Sequence, residues 1–341
     1  MTTSAARSEV AGGGVALRGA FCGIAAAGLF GLSAPVAKLL LPESGPLMLA
    51  GLLYLGAGVA LSLVLSARHG ESPGEAPLTW SDAPLLGTIV ATGGVLGPVL
   101  MLVGLTRVSG VAGSLLLNLE APFTILVAVG VFREHLGRRE RLGVAVIVVG
   151  SVLLGWRSGS VTGNGIGVFA LAAACACWAV DNNLTQRLSV RDPVALVRFK
   201  TLASGVTNLL LALAAGAKLP ALTVILPALL LGAASYGLSI VLDTYALRLV
   251  GAAREAAYFA TAPFFGALAA VPLLGESVAA LELTVGGVMA CGVGILLRAR
   301  HGHRHQHDVV MHEHSHAHDE HHAHTHAVPV ASGELHSHLH T

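Results

Sequence analysis

The sequence predicts an all-α integral membrane protein with ten transmembrane helices in two inverted five-helix repeats and a disordered His-rich C-terminal tail. Three observations predict this fold class: the composition, ten long apolar stretches, and the similarity of the two halves of the chain. Of the 341 residues, 54% are hydrophobic and 11% are charged, whereas a soluble domain carries about 25% charged residues. The composition therefore indicates a protein that is embedded in the lipid bilayer.

The same composition excludes several other classes of protein. Lys and Arg (20) nearly balance Asp and Glu (19), which leaves no basic excess for a nucleic-acid partner. The sequence contains no G-x-x-x-x-G-K-[ST] motif, so ATP is not expected to drive it. The cysteines lie inside apolar runs and are interpreted as packing residues, without a disulfide or zinc framework; they are Cys22, Cys175, Cys177 and Cys291.

Ten stretches are long and apolar enough to be candidate spans of a hydrocarbon core of about 30 Å, although the fifth is short. They lie near residues 19–40, 46–66, 83–105, 110–132, 141–156, 164–187, 193–216, 221–246, 254–274 and 280–297. The first is too long for a cleaved secretory segment and is interpreted as a retained helix. The predicted units are a cytoplasmic N-terminal segment (1–17), two five-helix repeats (18–157 and 163–297) and the tail (298–341).

The distribution of Lys and Arg predicts the orientation. With the N-terminus inside, most arginines fall in cytoplasmic loops, while the outer side keeps only Lys38, Arg107, Arg157 and Lys218. Short loops rich in Lys and Arg stay cytoplasmic. We therefore predict a multi-pass protein of the cytoplasmic membrane with both termini in the cytoplasm.

The two halves of the chain resemble each other. Ala-Pro-Phe occurs at 121–123 and again at 262–264, and each copy is followed by a glutamate, Glu134 or Glu276, and a Gly-rich helix. The offset of about 141 residues equals five spans, and an odd number of spans turns the second copy upside down, as in secondary transporters. The two glutamates are predicted to cap the helices that follow them.

These stretches also carry a family resemblance. LLLNLEAPFTILVAVGVFREHLGRRERLG (115–143), CWAVDNNLTQRLSVRDP (177–193) and ALRLVGAAREAAYFATAPFFGA (246–267) resemble the EamA branch of the drug/metabolite transporter superfamily, in a subgroup that ends in a His-rich tail. The resemblance covers about residues 19–297. It implies that helices one to four and six to nine enclose a central cavity, with five and ten peripheral. The second span lacks the Arg often found early in that helix, whereas the seventh has Arg198.

Glu120 is the first candidate for substrate binding or coupling. A charge inside a span costs at least about 2.5–3.5 kcal/mol, so it needs a function or a partner. Glu120 lies about 15 Å deep in the fourth span, near the midplane, with Asn118 two residues earlier. Its counterpart in the second repeat is Thr261, beside Tyr258. We predict that Glu120 couples protons or binds a substrate amine; the alternative is a glutamate that only packs.

A second polar group interrupts the sixth span at Asp181, Asn182 and Asn183. Asp181 and Lys200, one helix later, lie at similar depths and are predicted to meet. A buried ion pair stabilises a fold poorly but can act as a switch in an alternating-access cycle. The alternatives are a static pair and a Lys200 that reaches the membrane surface.

Four prolines inside spans predict helix kinks, because proline removes a helical hydrogen bond; they are Pro35, Pro98, Pro122 and Pro263. Kinked helices that line a cavity suit a transporter.

The tail predicts affinity for zinc, nickel or cobalt, because imidazole is a good ligand for these ions. We assign it no fixed site, and the alternative is a low-complexity segment with incidental metal affinity. The candidate ligands are His301, His303, His305, His307, His312, His314, His316, His318, His321, His322, His324, His326, His336, His338 and His340.

The sequence therefore predicts a secondary transporter that exports a small metabolite or amino-acid-like solute with proton or ion coupling, and that requires no cofactor. The alternatives are a divalent-metal exporter or metal-regulated transporter that uses the tail, and a metal sensor that transports nothing. An enzyme is not expected, because the two histidines outside the tail, His69 and His135, fall in loops. The substrate, the direction of transport, the coupling ion and the oligomeric state stay open.

Overall fold

The computed structural model describes the backbone of residues 2–67, 77–132, 137–162, 165–188, 191–250, 258–298, 312–316 and 336–340. The α-helices in these ranges are α1 (Thr2–Gly31), α2 (Ser33–Ser44), α3 (Pro46–Ala67), α4 (Ala83–Ile89), α5 (Gly97–Leu105), α6 (Gly110–Leu116), α7 (Glu120–Phe132), α8 (Arg138–Thr162), α9 (Gly165–Arg187), α10 (Pro193–Ala214), α11 (Leu222–Gly232), α12 (Ser239–Val250), α13 (Ala262–Leu274) and α14 (Ala280–Arg298). Between them lie 3-10 turns at Trp80–Asp82 and Leu117–Leu119, and π-helical turns at Val90–Leu96 and Ala233–Leu238.

Seven helices in the described part of the chain are long and apolar enough to cross a membrane. They are Leu17–Ser44, Pro46–Ser66, Trp80–Leu105, Gly110–Phe132, Gly165–Arg187, Val194–Ala214 and Leu222–Asp243. These helices fall at the first four, the sixth, the seventh and the eighth predicted spans. Helices α13 and α14 are shorter and apolar, at the ninth and tenth spans, and α8 covers the fifth. The part of the protein that enters the membrane is thus an all-helical multi-pass bundle, in which three of the ten spans stay predictions.

The predicted kink prolines all occupy one kind of position. Each lies in the first turn of a helix that follows a break in its span: α2, α5, α7 and α13 begin one or two residues before Pro35, Pro98, Pro122 and Pro263. The missing N–H costs little there, because first-turn N–H groups have no partner within their own helix. Each broken span is therefore two helical segments joined at a proline, and whether these joints move during transport stays a prediction.

Helices α3 and α10 pack closely because glycines face bulky side chains across their contact. A Cβ at Gly51 would lie 2.7 Å from the side chain of Leu209, and one at Gly58 would lie 2.6 Å from Leu202. Small residues at such contacts let two membrane helices approach each other. This pair joins one helix of the first half of the chain to one of the second.

Helices α8 and α14 also pair, with Gly143 against Leu296 and Gly150 against Met289. Their other faces are open, since Val152 is 57% exposed and Leu283 67% exposed. Such apolar exposure is expected of helix faces that contact lipid. The arrangement agrees with the peripheral position that the family resemblance implies for these two helices.

Arg191, between α9 and α10, ties that connection to the start of the third span. Its Nε atom lies 3.1 Å from Oδ2 of Asp82, and its Nη1 atom donates a hydrogen bond of 3.1 Å to the carbonyl of Pro77. Asp82 also accepts the backbone N–H of Thr79 at 2.8 Å. We call this end of the bundle, marked by Asp82 and Arg191, the Arg191 end.

The tail contains two paired strands, β1 (His312–His316) and β2 (His336–His340). They are antiparallel, and their register sets His312 opposite His340, His314 opposite His338 and His316 opposite His336. The prediction of a disordered tail is corrected for these two segments, because alternation with a period of two suits extended, paired backbone. The remaining tail ligands lie outside the described residues; they are His301, His303, His305, His307, His318, His321, His322, His324 and His326.

Candidate functional site

The candidate site lies where the fourth span changes from buried to more exposed surroundings. Every residue from 110 to 119 is buried, whereas nearly all residues from 120 to 132 are partly or fully exposed. The 3-10 turn Leu117–Leu119 separates α6 from α7, and Glu120 is the first residue of α7. A carboxylate is favoured at the first turn of a helix by the helix dipole.

Glu120 is joined to the sixth span by a hydrogen bond. The Nδ2 atom of Asn182 donates to Oε1 of Glu120 at 2.8 Å. Asn182 follows Leu171, Cys175 and Trp178 on one face of α9, at helical spacing. Those three residues are buried, while Asn182 is exposed. Burial on this face of α9 therefore ends at Asn182, and the partly exposed carboxylate of Glu120 is bonded to it there.

The other two predicted amides serve the helices around the site. Asn118 is buried and donates to the carbonyl of Leu115 at 3.0 Å. Asn183 donates to the carbonyls of Thr124 at 3.1 Å and Ala179 at 2.8 Å, which ties α9 to α7. Both amides donate to backbone carbonyls, whereas Asn182 is exposed. Among the three, only Asn182 has a hydrogen bond to Glu120.

Asp181 and Lys200 form the ion pair that the sequence predicted. Nζ of Lys200 donates to Oδ2 of Asp181, and Oδ1 of Asp181 accepts a hydrogen bond of 3.3 Å from Thr185. The side chains of Asp181 and Lys200 are 4% and 15% exposed. Both charges act electrostatically on Glu120. The contact is therefore present next to the candidate site, while its role as a switch stays a prediction.

The π-helical turn Val90–Leu96 brings a third helix to this place. A π turn leaves backbone carbonyls without their usual helical partners. The carbonyl of Gly93 accepts hydrogen bonds from Tyr54 Oη at 2.8 Å and Trp178 Nε1 at 3.2 Å. The carbonyl of Gly94 accepts one from Asn208 Nδ2 at 2.9 Å. Side chains from α3, α9 and α10 thus fix the irregular turn of the third span.

Gly93 is required by its neighbours, because a Cβ there would collide with the carboxylate of Asp181. We expect Gly93→Ala to lower the free energy of unfolding by about 1–3 kcal/mol through overpacking. Thermal unfolding of the purified protein in detergent measures the change. The control is Gly87→Ala in α4, where an added Cβ would meet nothing within 4 Å. Equal melting temperatures for the two variants would show that Asp181 is not held against this turn.

Aromatic rings from four parts of the chain meet beside these polar groups. The rings of Tyr54 and Tyr236 are 5.3 Å apart, those of Phe30 and Tyr236 5.6 Å, and those of Phe30 and Phe259 5.2 Å. Distances of this size are typical of favourable aromatic pairs. Sequence reasoning missed these rings and the carbonyl of Gly93. A polar or aromatic residue within an aliphatic span, such as Tyr54, was the available signal.

The predicted residues of the second repeat lie in a different setting. Oγ1 of Thr261 donates to the carbonyl of Tyr258, and Tyr258 packs against Gly23 of α1. Within the described residues, the hydrogen bonds of Thr261 do not reach Glu120. Among these same residues, no group of three or more His, Cys, Asp and Glu side chains is arranged to hold a metal ion.

A family model matches this chain twice, once in each half. The model of the EamA-like transporter family matches two consecutive stretches, residues 17–156 and 165–298. The two matches together cover most of the chain.

Individual proteins show the same likeness. An uncharacterized transporter from Methanothermobacter thermautotrophicus is 32% identical over 286 residues, which are 78% of this chain and 82% of that protein. The uncharacterized inner membrane transporter YedA of Escherichia coli K12 is 26% identical over 259 residues, or 75% of this chain and 83% of YedA. A crystal structure with 18% identity covers 79% of this chain and 96% of its own, with a TM-score of 0.56, which supports the fold alone.

Proposed function

This chain belongs to the EamA-like transporter family, and we propose that it is a secondary transporter that exports a small metabolite or amino-acid-like solute by alternating access, coupled to protons or another ion. One observation carries the proposal. The hydrogen-bonded pair of Glu120 and Asn182 lies near the middle of the apolar helix Gly110–Phe132, where burial along the helix ends. Solutes bind near the bilayer midplane in transporters built from repeats.

The chemistry around Glu120 favours a solute with an amine. A carboxylate binds an ammonium group through charge-assisted hydrogen bonds. Tyr54 and Tyr236 lie within electrostatic reach of Glu120, and aromatic faces attract cations. Lys200, which is paired with Asp181, supplies a positive charge to a solute that also has a carboxylate. A compound with the charge pattern of an amino acid therefore fits these groups.

Alternating access is supported by the likeness of the two halves. The two π-helical turns begin at residues 90 and 233, close to the offset between the Ala-Pro-Phe copies. The family model also matches the chain twice in succession. Two copies of odd span number in opposite orientations allow one half to rock against the other around a fixed site. We also propose the orientation in the membrane. The Arg191 end faces the cytoplasm, because the distribution of Lys and Arg favours cytoplasmic loops on that side.

A comparison of growth media tests the export of a solute. Cells that express the intact protein, cells that express a version ending after Ala299 and empty cells are compared for small amino compounds in the medium and for cell nickel, cobalt and zinc. We expect one or more amino compounds to accumulate in the medium of both expressing strains. If both strains instead lower cell metal with no change in released solutes, the cargo is a metal ion and the proposal is wrong.

The metal-exporter alternative rests on the tail. We propose that the tail buffers or senses zinc, nickel or cobalt beside the transporter, because imidazole binds these ions well. The register of β1 and β2 supports this, since it sets three histidines of one strand opposite three of the other in the backbone pairing. In this role the metal ion regulates or accompanies transport, while the membrane helices carry the solute.

Metal titration of the purified protein measures the role of the tail. We expect the intact protein to bind more zinc at neutral pH than the version ending after Ala299. The excess should fall below about pH 6.5, because protonation removes the imidazole lone pair that binds the metal. Calorimetry at several pH values gives the stoichiometry. Equal zinc binding by the two versions at neutral pH would remove the tail from any metal function.

A further inference from the structure

Glu276 makes contacts that the sequence did not predict. It follows α13, after Gly275 with its left-handed φ of 65°. Its Oε1 atom accepts the backbone N–H of Gly110 at 2.7 Å, and its Oε2 atom accepts that of Val111 at 2.9 Å. The prediction that Glu276 caps the helix after it is therefore corrected: it caps α6, which begins the fourth span. Glu134, its counterpart, lies outside the described residues.

Lys38 of α2 completes this contact from a third direction. Its Nζ atom donates to the carbonyl of Val108 and lies 3.7 Å from Oε1 of Glu276. Three separate segments, α2, the turn before α6 and the turn after α13, thus meet through one Lys, one Glu and backbone groups. We call this end of the bundle, marked by Lys38 and Glu276, the Glu276 end.

The burial of the fourth span shows which of its residues lie behind these contacts. Behind Gly110, the residues as far as Leu119 are buried, and Ser114 is only 1% exposed. Beyond Glu120, exposure begins and continues to Phe132 at the other end of the span. From Glu120, the fourth span is therefore packed against other helices toward the Glu276 end and less buried toward the Arg191 end.

The contacts are suited to opening as well as to closing. The side chains of Lys38 and Glu276 are 24% and 19% exposed, so water reaches both charges. Water can take over hydrogen bonds of partly exposed charges at a small net cost, whereas fully buried charges would be trapped. The contacts of the carboxylate with the start of α6 and of the ammonium with a carbonyl of the preceding turn can thus break and form again repeatedly.

We propose that the contacts of Lys38 and Glu276 with Val108, Gly110 and Val111 form a gate at the Glu276 end. The gate is closed in this structure and opens in the opposite state of the transport cycle. The proposal rests on the transporter function, but it makes a prediction about opening that needs no knowledge of the solute.

Thiol labelling tests the gate. The protein is purified in detergent in a background where Cys22, Cys175, Cys177 and Cys291 are replaced by Ala. A Ser114→Cys substitution then reports access to the buried half of the fourth span, and Leu126→Cys, which replaces a residue 52% exposed, serves as the reference. The probe is a polar maleimide, and its rate of reaction is measured for each variant.

We expect Glu276→Ala and Lys38→Met to raise the labelling rate of Ser114→Cys about tenfold, the population shift expected when a charge-assisted hydrogen bond is lost. Labelling of Leu126→Cys should not change. The matched control is Glu43→Gln, which removes a carboxylate from an exposed position in α2 at the same end. Glu276→Gln guards against misfolding, because its amide oxygen still accepts a backbone N–H; it should give an intermediate rate.

Two results would overturn the gate. One is unchanged labelling of Ser114→Cys in Glu276→Ala, Glu276→Gln and Lys38→Met proteins that elute as single, stable species. The other is an equal rise in the Glu43→Gln control, which would make the effect one of general charge. A failure to find an exported solute, in contrast, would affect the proposed function and leave these labelling rates as they are.

Discussion

Glu120→Gln is expected to lower proton-driven transport in liposomes by about tenfold to a hundredfold, the range that one charge-assisted hydrogen bond or coupled proton accounts for. Glutamine retains the hydrogen bond to Asn182 through its amide oxygen but can neither exchange a proton nor bind an ammonium group by charge. Asp181 and Lys200 also act electrostatically on Glu120, which in turn acts on Tyr54, Tyr236 and Cys175.

The two roles considered for Glu120 differ in an exchange experiment. Labelled solute inside the liposomes is exchanged for unlabelled solute outside, without net proton movement. If Glu120 carries the proton, Glu120→Gln loses transport driven by a pH gradient but retains exchange. If Glu120 binds the amine, the variant loses both. Glu43→Gln is the control for removal of a carboxylate. Full pH-driven transport by Glu120→Gln would contradict both roles.

Asp181→Asn and Lys200→Met, made singly, are expected to lower the stability of the fold by about 3–5 kcal/mol, because each leaves one charge of a nearly buried pair without its partner. The double variant removes both charges and should recover most of the stability. Thermal unfolding of the three variants in detergent measures this difference. A double variant no more stable than either single variant would mean that the pair does not act as a unit.

Transport by the same double variant decides between a switch and a static pair. If the pair opens and closes during the cycle, the stable double variant transports solute poorly. If the pair only packs, it transports normally. A charge-swapped pair is a weaker test here, because the space beside Asp181 is filled by the turn at Gly93, which leaves no room for a lysine. The control is Asp82→Asn with Arg191→Gln, a pair that lies at the Arg191 end, away from Glu120.

Part of the candidate site could be predicted from the sequence because membrane spans are chemically uniform. Polar residues in apolar stretches stand out, because placing them in the bilayer costs free energy. Here they are Glu120, Asn182, Asp181 and Lys200. The contact of Asp181 with Lys200 also followed from equal depths on consecutive helices.

The partners of Glu276 and Gly93 could not be predicted in this way. Glu276 caps a helix 166 residues away along the chain, and the carbonyl of Gly93 meets Tyr54 and Trp178 from two other spans. Such contacts depend on which helices are neighbours and on their rotation. A uniformly apolar helix carries little information on either, because each of its faces is equally compatible with lipid or with another helix.

By itself, the sequence determined that the chain enters the membrane, where its long apolar stretches lie, and which polar residues they contain, since hydrophobic length and composition are local properties. The tertiary structure decided that the fourth span is buried on one side of Glu120 and more exposed on the other, and that Lys38 and Glu276 join three segments at the buried end. These features arise from the packing of helices that are distant in sequence, so they exist only once the bundle has formed.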